Sequence, residues 1–302
     1  MKSHPLHILT EKEQLPSWLH RKLPNKSHYC ITDNLINEKM LATVCEEAKC
    51  PNRFECYSKK TATFLLLGKT CTRACGFCDI GFSKTPPPLD PEEPRKVAES
   101  VHILGLKHVV LTQVARDDLA DGGAKAVVDV IKEIRRQNKE CTVEVLTSDF
   151  NGNLSALDLI FEENPEIFNY NIETVHRLTP KVRHKATYER TLEVLNRAKR
   201  SLPKSFIKSG LMLGLGEASY EILSTLKDLH QASVDIVTIG QYLQPSKKKL
   251  RVKSYIPPEE FTQWKIQGEA LGIPFVYAGP YIRSSYNASD VFDTLKKINT
   301  HP

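Results

Sequence analysis

The chain has 302 residues, enough to bury a large core as one big domain or two modest ones, and its 40% hydrophobic and 26% charged residues are ordinary for a globular protein. The formal net charge of +6 is spread along the chain, densest at Lys247–Lys249 with Arg251 and at Lys199/Arg200, without the aromatic-interleaved basic stripe that nucleic-acid binding wants. No run reaches membrane-span length and the N-terminus lacks the apolar core of a signal peptide and the arginines of a transit peptide, so the expectation is a cytoplasmic protein with reduced thiols, partnering neither membrane nor nucleic acid.

Up to about Cys56 the sequence is polar and loop-rich, punctuated by Pro5, Pro16 and Pro24, with one short helical stretch near Asn34–Ala42. Such a segment cannot build its own core, so it either wraps a larger domain or is held together by metal. Its end carries Cys45-Glu-Glu-Ala-Lys-Cys50-Pro-Asn-Arg-Phe-Glu-Cys56, three cysteines with four and five residues between them.

From Thr61 the pattern becomes strands alternating with amphipathic helices. Strand-like runs are Ala62–Leu67, His108–Thr112, Thr142–Thr147, Ile167–Ile172, Phe206–Leu213, Val234–Gly240 and Phe275–Ala278. Helical patterns lie between them at 92–104, 124–137, 153–162, 187–200, 219–231 and 258–271. The first helix has a start signal in Asp90 as N-cap, Pro91 in the first turn and Glu93 closing a capping box. Pro257 and Pro258 introduce the last of the six, and a final helix is expected near Ser289. Strict alternation of this length implies a parallel sheet with right-handed crossovers, open or closed into a barrel whose chemistry sits at the C-terminal ends of the strands.

The stretch after the first strand is Cys71-Thr-Arg-Ala-Cys75-Gly-Phe77-Cys78. A lone C-x-x-C would fit half a zinc ribbon or a redox motif equally well, but the third thiol three residues upstream favours a soft metal or an iron–sulfur cluster. Three thiolates leave one metal corner open for a ligand. Of the eight cysteines, six fall in these two triplets; a disulfide framework would suit the number but not the compartment, and Cys30 and Cys141 stand apart. Other strand ends carry polar groups: Thr112 to Asp118, then Asp121-Gly-Gly123; Asn171-Ile-Glu173-Thr174; Gly214-Leu-Gly216-Glu217; and Gln241-Tyr-Leu-Gln244-Pro245. Each alone reads as a cap or turn. Their common position at strand ends points to one pocket.

The first-strand triplet, with an aromatic before its last cysteine, resembles the signature of the radical S-adenosylmethionine (SAM) superfamily. Together with the upstream triplet and Arg283-Ser-Ser285-Tyr286, the chain resembles the lipoyl synthase family from about Thr43 to Tyr286. The likeness includes Pro86–Pro94, Arg116-Asp-Asp-Leu119, Asn171–Thr174, Gly210–Glu217 and Gly240–Pro245. Lys249 stands where that family commonly has histidine, and His184-Lys185 replaces a stretch that is often Pro-Gly.

The resemblance implies a radical SAM (β/α) barrel, partial or near-complete, at 61–278. An N-terminal extension at 1–60 and a C-terminal one at 279–302 hold an auxiliary cluster. It implies two [4Fe-4S] clusters, one on Cys71, Cys75 and Cys78 that binds SAM, and one on Cys45, Cys50 and Cys56 with Ser285 as fourth ligand (Ser284 being the second choice). No catalytic residue is implied beyond these ligands. Phe77, Thr112, Asp118, Asn171, Glu173 and Arg183 are the candidate SAM or substrate pocket.

The implied reaction inserts sulfur from the auxiliary cluster at C6 and C8 of an octanoyl chain on a lysine, after hydrogen abstraction by a 5′-deoxyadenosyl radical. The implied partners are octanoylated carrier domains (the E2 subunits of 2-oxoacid dehydrogenases and the H protein of glycine cleavage), reduced ferredoxin or flavodoxin, and an iron–sulfur carrier protein for cluster repair. Rival readings are another radical SAM sulfur inserter or methylthiotransferase, a two-cluster electron carrier, and a zinc-ribbon nucleic-acid binder. The electron carrier sits badly with 200 residues of βα pattern, and the zinc ribbon lacks a fourth ligand near each triplet.

Overall fold

Short apolar runs buried on both faces satisfy their backbone by pairing with one another, and they take helices on the outside. The computed structural model describes residues 15–20 and 29–299 and places seven such strands in one parallel sheet. They are β1 (Thr63–Leu66), β2 (His108–Gln113), β3 (Thr142–Leu146), β4 (Ile167–Asn169), β5 (Phe206–Leu213), β6 (Ile236–Gln241) and β7 (Phe275–Gly279). Neighbours in the sheet are neighbours in sequence, and every pair is parallel. That order, with helices between, is the winding of a (β/α) barrel. Among the described residues no ladder joins β1 to β7, so the barrel is partial.

Helices Glu93–Leu104, Ala124–Gln137, Leu154–Glu162, Tyr188–Ser201, Ser219–Gln231 and Pro258–Ala270 fill the six connections. Their apolar faces are buried, as with Val97, Val101 and Leu104 on the first and Val127, Ile131 and Ile134 on the second. Local chemistry sets several starts: the Asn153 carboxamide oxygen accepts from Ala156 N at 3.1 Å and the Thr187 hydroxyl from Arg190 N at 3.2 Å. The start signal read at Asp90 works differently. The first helix begins at Glu93 after Glu92, and Asp90 accepts from Glu92 N at 2.9 Å. Glu93 closes no box; its carboxylate turns inward and accepts from Leu67 N at 3.0 Å, tying the helix to the end of β1.

Two other expectations shift. The early helix runs Tyr29–Glu38 rather than to Ala42, because Met40 adopts a left-handed conformation (φ 54°) that ends it. The fourth strand stops at Asn169, since the next residues leave the ladder and Glu173 is left-handed (φ 67°). Of the loop-rich N-terminal reading, Pro5 and Pro24 lie outside the described residues. The described part wraps the barrel: Leu65 N donates to Ala42 O at 2.9 Å and Thr43 bridges Phe64, so this segment covers the free edge of β1. The hydroxyls of Thr43 and Tyr57 meet at 2.7 Å above a small cluster of Cys45, Tyr57 and Ala62.

Inside the barrel the N-terminal ends of the strands are plugged. Ile167, Phe206, Ile236, Phe275 and Tyr277 pack on Val291, Phe292 and Leu295 of the last helix, Ala288–Asn299. His108 stacks on Phe292 with ring centroids 5.1 Å apart. Deeper in lies a charged pair: Lys208 Nζ donates to Glu144 at 2.9 and 3.1 Å, Asn169 adds a third bond at 2.9 Å, and both charged side chains are fully buried. Burial alone would raise the Glu144 carboxyl; the Lys208 and His108 contacts outweigh it and lower it to about 2.

Lys208→Met should therefore cost about 3–5 kcal/mol by stranding the Glu144 charge, whereas Lys208→Met with Glu144→Leu should recover most of that loss. Denaturant midpoints of the two variants and the parent check this. Because the folded-state value of Glu144 is depressed, its contribution is present above the ordinary glutamate range and is lost as pH falls through about 2.

Candidate functional site

Every strand leaves the sheet at the same end, so loops far apart in sequence meet over one mouth. β1 turns sharply through left-handed Leu67 and Gly68 (φ 69° and 94°) into the first cysteine loop. Thr72 stitches that loop to the segment after β2: its N–H and hydroxyl both donate to Ala115 O at 2.9 Å, and its hydroxyl accepts from Asp117 N at 2.9 Å.

Arg73, between the first two cysteines, points inward to two carboxylates. Its guanidinium reaches Asp117 at 2.8–3.2 Å and Asp149 at 2.6 Å. Asp149 also meets Arg190 at 3.1 Å, and Asp117 meets Lys185 at 3.2 Å. Burial works against both carboxylates, but the Arg73 charge holds each below the usual aspartate range.

A cavity of about 540 Å³ opens over the mouth. Cys71, Cys75 and Cys78 line it, with Phe77, Thr112, Asn171, Glu173 and Arg183. Asp118 is not on this wall; its carboxylate is held bidentately by Arg116 at 2.8–3.2 Å. Backbone amides face the sulfurs: Arg73 N and Ala115 N each donate to Cys71 Sγ at 3.3 Å, and His184 N donates to Cys75 Sγ at 3.4 Å. His184 Nδ1 in turn accepts from Ala74 N at 3.0 Å, so this residue grips the cysteine loop twice. Lys185 takes a left-handed conformation (φ 63°), the shape a glycine would adopt without strain.

On the same wall, Arg183 donates to Thr191 Oγ1 at 2.6 Å and to the Tyr170 hydroxyl at 2.9 Å. Glu173 is half-buried at the cavity wall, where desolvation raises its carboxyl above the usual range, and it accepts from Asn171 Nδ2 at 3.1 Å.

A second cavity, of about 280 Å³, is lined by Cys45, Cys50, Cys56 and Ser285. Cys50 and Ser285 belong to both cavities and stand in the wall between them. Ser284 lines only the larger one, with its hydroxyl donated to Asn171 Oδ1 at 2.8 Å. Asp79, next to Cys78, accepts from Lys49, next to Cys50, at 2.6 Å and from Ser246 at 2.6 Å, so an ion pair joins the two cysteine loops.

The donor sets fit soft metals. Burial pushes the thiols of Cys45 and Cys78 up to about 12, Cys56 to about 11, and Cys75 upward as well, so a bare thiolate is unfavourable and a bound cation would offset that cost. Among the described residues no three His, Cys, Asp or Glu side chains converge on a single-ion site; each cysteine triplet lines a cavity wall instead.

Reading by motif gave no role to Arg73, Asp117, Asp149, His184 or Tyr170. Arg73 lies in the cysteine motif and Asp117 in Arg116-Asp-Asp-Leu119, but that these two meet, with Asp149 from a third loop, leaves no local signature. Arg73→Gln should cost about 3–5 kcal/mol, because it leaves Asp117 and Asp149 short of their shared cation. A lowered denaturant midpoint would show it. The clamp's contribution is present above the ordinary aspartate range and is lost as pH falls through the depressed values.

The chain is similar to known proteins over most of its length. Residues 65–229 match the model of the radical SAM superfamily. The chain is 59% identical over 278 residues to a lipoyl synthase of Protochlamydia amoebophila, covering 91% of this chain and 86% of the relative. It is 55% identical over 284 residues to one from Chlamydia abortus (94% and 91%) and 53% over 287 residues to one from Chlamydia trachomatis (95% and 92%).

Among solved structures, Streptococcus suis SuiB bound to S-adenosylmethionine superposes with a TM-score of 0.56 at 9% identity, covering 75% of this chain and 54% of that one. Methylornithine synthase gives 0.52 at 13% identity, covering 84% of each. At such identities the structural likeness speaks to the fold.

Proposed function

We propose that this chain, which belongs to the lipoyl synthase family of the radical SAM superfamily, replaces hydrogen by sulfur at C6 and C8 of an octanoyl chain on a lysine of a lipoyl carrier protein. It is a sulfurtransferase that uses SAM and [4Fe-4S] clusters. The observation that carries the reading is the pair of adjoining three-cysteine cavities with Cys50 and Ser285 in the wall between them.

In this reading Cys71, Cys75 and Cys78 hold the cluster that binds SAM, and Cys45, Cys50 and Cys56 with Ser285 hold the other. When bound, these groups supply a 5′-deoxyadenosyl radical able to take hydrogen from an unactivated C–H bond, and the sulfur that replaces it. The protein's part is to orient and enclose. Val44, Ile80, Leu211, Met212, Leu243 and Ile282 give the large cavity an apolar lining suited to an alkyl chain, and Glu173 and Asn171 give it a polar corner suited to a cosubstrate. A group held on Cys45, Cys50 and Cys56 would be separated from an alkyl chain in the large cavity only by the wall that the two cavities share.

Ser285 offers an oxygen, a harder donor than a thiolate and a weaker partner for iron. Ser284 has its hydroxyl turned to Asn171, which favours Ser285 as the donor. Ser285→Cys should retain iron at the second site yet form less lipoyl product in one turnover; wild-type yield would overturn the donor's role.

The three regions of the chain then divide the work: 1–60 and 279–302 hold the auxiliary site, and 61–278 forms the barrel. We assign the protein to the cytoplasm, where thiols stay reduced and free to take up metal. No helix among the described residues is long and apolar enough to cross a membrane. Octanoylated E2 subunits and glycine-cleavage H protein are the proposed carriers, reduced ferredoxin or flavodoxin the electron donor, and an iron–sulfur carrier protein the agent of cluster repair.

Lys181 on the short helix Thr179–Val182 and Lys185, Lys247, Lys248 and Arg251 on loops are exposed beside the first cysteine loop, where Gly76 N bonds Val182 O and Leu250 N bonds Gly76 O, each at 2.9 Å. This basic rim suits an acidic carrier face. The apparent KM for octanoylated carrier should rise with ionic strength while kcat changes little, and a salt-independent KM would count against docking there.

The direct test is a single anaerobic turnover of the iron- and sulfide-reconstituted protein with SAM, a reductant and an octanoyl-lysine carrier peptide, followed by mass spectrometry. A mono-thiolated and then a lipoyl peptide should form together with 5′-deoxyadenosine. Cleavage of SAM without sulfur in the peptide would mean that the substrate is different.

A further inference from the structure

The C-terminal segment reaches the site by lying inside the barrel mouth, in space that two glycines leave empty. Gly240 on β6 would, with a Cβ, come within 2.0 Å of Ile282 O and 3.0 Å of Arg283 Nη1. Gly210 on β5 would place a Cβ 2.5 Å from Thr238 Oγ1, 2.9 Å from Ser284 Oγ and 3.0 Å from Asn171 Oδ1. Neither glycine has a positive φ, so it is room and not backbone freedom that calls for glycine at these positions.

Polar contacts complete the seat. Ser284 Oγ donates to Asn171 Oδ1 at 2.8 Å, Gln241 N donates to Pro280 O at 3.2 Å, and Ile282 N donates to Gly279 O at 3.0 Å. The opposite side of the segment is held by the N-terminal cysteine region: Asn52 Nδ2 donates to Tyr281 O at 2.7 Å and Tyr286 OH to Glu55 Oε1 at 2.8 Å. None of these contacts uses a cysteine.

We propose that Gly210, Gly240 and the Ser284–Asn171 hydrogen bond are positioning elements that seat residues 282–285 in the barrel independently of any group on the cysteines, and so present Ser285 to the Cys45, Cys50 and Cys56 cavity as a preformed donor. The functional weight of this seat rests on the reading of Ser285 given above; the seat itself does not. Its physical benefit is preorganisation. The entropy of ordering the segment is met by the folded barrel, so the donor can be lost from and regained by a bound group without the segment leaving its place. Because Asn171 also bonds Glu173, the seat is continuous with the polar corner of the large cavity.

The test is amide hydrogen exchange by mass spectrometry on the full, anaerobically reconstituted chain, following peptides that cover 279–286, with iron content measured in parallel. Ser285→Ala should lower iron but leave exchange of the segment within about two-fold of the parent. Ser284→Ala and Gly240→Ala should each speed it by about ten-fold, the scale of losing one hydrogen bond or of displacing a packed carbonyl. Ser284→Ala combined with Asn171→Ala should exchange no faster than the faster of the two single variants, as expected for one shared interaction.

The proposal is overturned if Ser285→Ala frees the segment as much as Ser284→Ala does, since ligation would then be what holds it. It is equally overturned if Ser284→Ala leaves exchange unchanged. Should Gly240→Ala fail to fold, Ser284→Ala decides, because it removes an atom and introduces no clash. Failure of the parent to form lipoyl product would overturn the functional reading, while the exchange pattern would still judge the seat on its own.

Discussion

Buried sulfur needs positive charge, and that constraint organises this protein. Four of the six clustered thiols lie where burial raises the cost of ionising them. A low-dielectric pocket lined with thiols is a poor place for a bare thiolate and a good one for a soft metal. The surrounding backbone prepares for that outcome, with amide N–H groups aimed at Cys71 and Cys75. The loops around the mouth keep those amides and thiols in register.

The protein holds its loops with charges it has buried elsewhere. Arg73 is enclosed between Asp117 and Asp149, and Lys208 between Glu144 and its neighbours; in both cases the carboxylates stay ionised because the partner is fixed at hydrogen-bond distance. Such pairs add little net stability over apolar packing but tolerate almost no other geometry. One pair locks the cysteine loop to the barrel rim, and the other ties β3 to β5 beneath the cavity. The Asp79–Lys49 pair, more exposed, links the two cysteine loops where the cavities adjoin.

The two ends of the described chain converge on the same place. The N-terminal segment covers the free edge of β1 and brings three cysteines to the rim, while the C-terminal segment crosses the mouth before its helix plugs the far end of the barrel. A partial barrel leaves both an edge and an opening, and the extensions occupy both. The second cavity therefore forms from three pieces of sequence, 44–63 and 283–290, drawn mainly from the two extensions, and 106–110 from the barrel.

Much of this was legible without coordinates. The seven strands, the six helices between them and the strand-end position of the first cysteine triplet follow from apolar periodicity, and periodicity is local because a strand or helix buries one face at a time. Cysteine spacing is local too, so both triplets could be read directly, and Arg283-Ser-Ser-Tyr286 could be matched as a motif. What the sequence could not decide was which serine faces the cysteines, why Gly210 and Gly240 are glycines, where Glu93 turns, and that Asp118 lies off the cavity wall while Asp117 and Asp149 share Arg73. Each of those depends on groups brought together from distant positions by the winding of the barrel. Side-chain direction at a loop is set by its contacts, and contacts of that kind leave no periodic trace in the chain.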